Sequence, residues 1–62
     1  MKHTESAYIN AGYKYERANT PNQCAAASQS IRVMLEAERI DDRAEARALV
    51  DTGRQEARRE KP

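Results

Sequence analysis

Apolar residues recur along this chain at helical spacing and nowhere alternate as a strand would require. Tyr8, Ala11, Tyr15 and Ala18 stand at i, i+3, i+7 and i+10, which predicts a first helix over 5–18 with Thr4 as N-cap. Asn19-Thr20-Pro21-Asn22-Gln23 then punctuates the chain. Thr20 suits an N-cap, and Gln23 can reach back toward it. Pro21 suits the first helical position, where its missing N–H would be unpaired anyway. A second helix is expected over 21–40. Cys24, Ala27, Ile31, Met34 and Leu35 line one of its faces, with Ser28 among them, and Ala26, Ser30, Val33, Ala37 and Ile40 line another. Two apolar stripes predict a central helix packed on more than one side. The short connection makes the first two helices neighbours, as an antiparallel hairpin or at a steeper crossing.

Extending the main stripe past Leu35 places Glu38, Asp42 and Glu45 on it, so the register breaks there or the apolar face ends. Asp42 suits an N-cap with Glu45 three residues on, and Asp41 adds negative charge where a helix N-terminus favours it. A third helix is therefore expected over 43–58, burying Ala46, Leu49 and Val50, with Gly53 and Ala57 further along the same face. Gly53 is either a C-terminal cap or a weak point in a continuous helix, and continuation to about Arg58 is preferred. Gly12 either admits the close approach of another helix or is tolerated slack. The expectation is an all-α, three-helix protomer: one domain over 1–62, frayed at about 1–4 and 59–62.

Composition adds oligomerisation to that picture. Of 62 residues, 24 are hydrophobic, but eleven of these are Ala, and Phe and Trp are absent. Chains this short bury only about 60 % of their unfolded surface, so a lone protomer has little core to draw on. Self-association is expected, as a homodimeric helical bundle sharing a core. Its candidate interface takes Tyr8 and Tyr15 from the first helix, and Cys24, Ala27, Ile31, Met34 and Leu35 from the main stripe of the second. Val33 and Ile40 come from the second stripe, and Leu49 and Val50 from the third helix. The tyrosines combine contact area with a polar handle, so they serve equally as partner surface or as the sole aromatic core; a dimer interface satisfies both.

Charge and chemistry mostly exclude. The net charge is +1 with 34 % of residues charged, which gives no global field for anionic polymers or membranes. No apolar run approaches the roughly 18–20 residues of a membrane span, and Met1-Lys2-His3-Thr4-Glu5-Ser6 lacks a signal-peptide core. The lone Cys24 forms no internal disulfide, and a cytoplasmic location is expected. One His and one Cys make a poor metal set, so no metal and no cofactor are expected. Cys24 reads as a small helix-interface residue, Asp41 and Asp42 as capping residues. Arg32–Glu36 and Arg47–Asp51 read as a solvated face. No catalytic residues are assigned, and an enzyme is not expected.

Arg54, Arg58, Arg59 and Lys61 form a basic cluster that could track phosphates, which makes a small DNA- or RNA-binding regulator the alternative function. Glu56 and Glu60 interleave with them, and residues 41–62 balance at six positive and six negative. A phosphate-binding helix shows a less compensated face.

Tyr13-Lys14-Tyr15-Glu16-Arg17-Ala18-Asn19-Thr20-Pro21 and Glu38-Arg39-Ile40-Asp41-Asp42-Arg43 resemble small early-region proteins of lambda-like temperate phages and their prophages. These are the short reading frames between the exonuclease and excisionase genes. The resemblance spans most of the chain and involves no catalytic motif. It implies a small helical, dimeric accessory protein in the host cytoplasm, acting on host physiology or the lysis–lysogeny decision. A regulatory protein–protein interaction, with itself and with a host or phage protein, is the expected function.

Overall fold

The computed structural model describes residues 1–60. Three helices follow in order: α1 (Glu5–Glu16), α2 (Pro21–Glu36) and α3 (Ile40–Glu60). The described residues contain no strand. Both early caps form as their residue types dictate. Thr4 Oγ1 accepts the Ala7 N–H at 3.1 Å, and Thr20 Oγ1 accepts the Gln23 N–H at 3.1 Å, with Pro21 opening α2. Gln23 reaches back as expected, but its Oε1 accepts the N–H of Asn19, one residue before the cap.

The second boundary differs from the sequence expectation. α2 stops at Glu36 instead of running to 40, and α3 begins at Ile40 instead of 43. Asp42 is therefore no N-cap: it lies with Asp41 in the first turn of α3, and its N–H bonds to the Arg39 carbonyl at 2.9 Å. Two side chains explain the shift. Glu38 leaves the helical path and is buried at 4 % exposure, where Tyr8 and two backbone amides hold it. Arg43 donates to the carbonyls of Leu35 (3.1 Å) and Glu36 (3.4 Å) at the end of α2, the former also accepting the Glu38 N–H at 3.1 Å.

The packing centre also differs. α1 packs chiefly on α3, less on α2, and α2 touches α3 least. α2 contributes no buried residue, so it is the outer helix and not the central one. The reason is the pair of glycines. A Cβ on Gly12 would overlap the Val50 carbonyl oxygen, and one on Gly53 would overlap the Ile9 carbonyl oxygen and sit 2.9 Å from the Tyr13 nitrogen. Each glycine lets the opposite backbone approach more closely than any side chain permits, which draws α1 and α3 together. Gly53 keeps a negative φ inside a helix that continues to Glu60. Tyr8, Ala46 and Val50 form the core, and Ile31, Met34 and Leu35 of α2 lean on it with Leu49.

Candidate functional site

The outer face of α2 is the largest departure from a closed core. Ala26, Ser30, Val33 and Ala37 are all exposed along it, and beyond the break Ile40 is exposed at the start of α3. Val33 is 57 % exposed and Ile40 79 %, the latter the largest exposure of a bulky apolar side chain among the described residues. At the N-terminal end of this face lies an open groove of about 480 Å³ between the end of α1 and the start of α2. Ala18, Ala26 and Ala27 and the Tyr13 ring make its apolar lining, and Lys14 and Arg17 edge it. The Arg17 guanidinium lies 5.4 Å from the Tyr13 ring centroid and donates to its hydroxyl at 3.1 Å. Tyr13 donates in turn to Glu60, which raises the tyrosine's pKa. Among the described residues neither Lys14 nor Arg17 forms an ion pair.

The other expected interface residues lie closer to the body. Tyr8 and Val50 are buried, while Tyr15, Cys24, Ala27, Ile31, Met34, Leu35 and Leu49 are half-buried. Ile31 sits between two crevices, one shared with Leu35, Arg43 and Arg47, the other with Tyr15, Val50 and Arg54, and Ser28 lines both. α2 is thus loosely seated on its inner side and bare on its outer side.

The basic cluster is partly occupied within the chain. Arg54 Nε donates to Glu16 Oε1 at 3.0 Å, and Arg58 Nε lies 3.3 Å from Glu16 Oε2. The Arg54 guanidinium also lies 5.0 Å from the Tyr15 ring centroid. Arg54 and then Arg58 lower the Glu16 pKa by hydrogen bonding. Arg59 is exposed, and Lys61 falls outside the described residues.

Glu38 is the site residue that pattern reading passed over as a register break. Its carboxylate accepts the Tyr8 hydroxyl at 2.5 Å, the Lys2 N–H at 2.8 and 2.9 Å and the His3 N–H at 3.1 Å. Lys2 and His3 belong to the stretch expected to fray. The Tyr8 hydroxyl leads in lowering the Glu38 pKa to about 2, against burial, with the two backbone amides and the Met1 amino group adding to it. Burial first, then the Glu38 hydrogen bond, raises the Tyr8 pKa. The available signal was a carboxylate placed on an apolar stripe, a position that demands donors from elsewhere in the fold.

Among the described residues no group of three or more His, Cys, Asp or Glu side chains could hold a metal ion, and no helix is long and apolar enough to cross a membrane. No protein-family model, curated protein or solved structure matches the chain.

Proposed function

We propose that this chain is a small, non-enzymatic interaction protein that binds a protein partner through the outer face of α2 and acts as a regulator. One observation carries the reading: α2 buries none of its residues, while Val33 and Ile40 stand at 57 % and 79 % exposure. An apolar face left bare on a chain with so little large apolar content costs solubility, and a partner that covers it accounts for it. The resemblance of residues 13–21 and 38–43 to early-region phage proteins supports an accessory protein of a temperate phage or prophage, acting on host physiology or phage development in the host cytoplasm.

A photocrosslinking residue at position 33 tests this, with position 45 on the exposed side of α3 as control. Protein adducts from position 33 that are missing from position 45 are expected. Adducts from neither position, or equally from both, would overturn the reading.

A further inference from the structure

The bare face of α2 and the groove at its end complement one another when the chain is doubled. Antiparallel pairing of two α2 helices brings the C-terminal end of one against the N-terminal end of the other. Ile40, at the C-terminal end, is an exposed apolar knob. The groove at the N-terminal end is apolar inside, and Ala26 belongs both to it and to the bare face. Charge follows the same geometry. Asp41, beside Ile40, has a side chain 78 % exposed and only a 4.0 Å contact with Arg39, whose side chain is 83 % exposed. Lys14 and Arg17 edge the groove without ion pairs among the described residues. α2 has no acidic residue in its first turn, so an aspartate from outside adds negative charge at a helix N-terminus that only the neutral Thr20 caps.

Resting on the interaction reading above, we infer that the occupant of this face is a second copy of the chain. Two α2 helices pair antiparallel about a two-fold axis, Ile40 of each entering the other's groove with Asp41 against Lys14 and Arg17. The contact is isologous, so both ends form at once. The exposed area fits a missing partner. A compact monomer of this mass exposes about 4,000 Å², whereas this protomer exposes 4539 Å². Its radius of gyration is 11.3 Å, against roughly 10.6 Å for a compact chain of this length. The excess of about 500 Å² falls short of the roughly 800 Å² that each partner gives to a standard interface, so the seam is a small one.

The test is sedimentation equilibrium on wild-type protein and on two charge-reversed chains, Lys14→Glu/Arg17→Glu and Asp41→Lys, with circular dichroism confirming helix content. In a pure solution of either variant like charges meet at both ends of the dimer. In a mixture, the reversed groove receives the reversed knob, and the unaltered groove receives the unaltered knob. Wild type should sediment near twice 7.0 kDa; each variant alone should dissociate, and the equimolar mixture should recover the dimer. Lys14→Glu alone replaces the double variant if that one loses helix content. Ile40→Asp should raise the dimer dissociation constant roughly ten- to hundredfold through the lost apolar burial. A wild-type monomer at every concentration would overturn the second copy, while adducts from position 33 to another protein would leave the interaction reading standing. A dimer whose charge-reversed chains never recombine would overturn this pairing.

Discussion

Tyr8 and Glu38 lie thirty residues apart in sequence and 2.5 Å apart in the fold, hydroxyl to carboxylate. That bond ties the middle of α1 to the turn between α2 and α3. It also converts a buried carboxylate from a liability into a tether, because Lys2 and His3 supply further donors and among the described residues no buried side-chain polar atom lacks a partner.

Acid should loosen this tether. The folded Glu38 pKa is depressed from the ordinary 4.5 to about 2, so the folded state favours the ionised form. Stability from this group is complete above pH 4.5 and is lost as pH falls toward 2. The melting temperature should therefore drop through that window. Glu38→Gln should be less stable near neutral pH and show a flatter acid limb. Tyr8→Phe removes the leading donor and lets the folded Glu38 pKa rise toward 4.5, so its acid limb should be shallower and end at higher pH. Thermal melts at stepped pH check all three, and an unchanged acid limb in Glu38→Gln would reject the assignment.

Gly12→Ala separates local propensity from packing. In an open helix the change gains about 1 kcal/mol. Here the new methyl overlaps the Val50 carbonyl oxygen, which belongs to backbone and cannot rotate away. Net destabilisation of about 1–3 kcal/mol or more is expected, with the same sign for Gly53→Ala. Urea denaturation measures it, and a gain in stability would mean that the crossing is looser than described.

Thr20→Ala should cost about 0.5–2 kcal/mol by removing the acceptor for the Gln23 N–H. Thr20→Ser, which keeps the oxygen, should recover most of the loss. Chemical denaturation midpoints of the three proteins decide this.

Duplex DNA should not bind measurably at about 150 mM salt, where non-specific binders still reach about 10⁻⁴–10⁻⁶ M. Arg54 and Arg58 already flank Glu16, so phosphate would have to compete with a carboxylate. Fluorescence anisotropy with a random duplex is the measurement. A micromolar complex that weakens steeply with salt and vanishes in Arg58→Glu would favour the nucleic-acid regulator.

Sequence by itself determined what is local. The helical spacing, the Thr4 and Thr20 caps and Pro21 at the head of α2 each depend on residues within one turn of each other, so the all-α class and the first boundary were legible. The buried face of α3 was legible too, with Ala46, Val50, Gly53 and Ala57 inside and Leu49 half-covered, because a 3.6-residue period fixes which positions share a side. Tertiary structure decided which helices meet. Gly12 read as an opening for another helix or as slack, and Gly53 as a cap or a weak point; only the α1–α3 crossing sets each against the backbone of the other helix, with no room for a Cβ. That crossing displaced α2 from the centre to the outside, so two stripes that predicted burial on both sides left one of them bare. Where α2 ends was likewise set from a distance: Tyr8, Lys2 and His3 draw Glu38 inward and Arg43 adds donors to the last carbonyls of α2, partners that no local pattern contains.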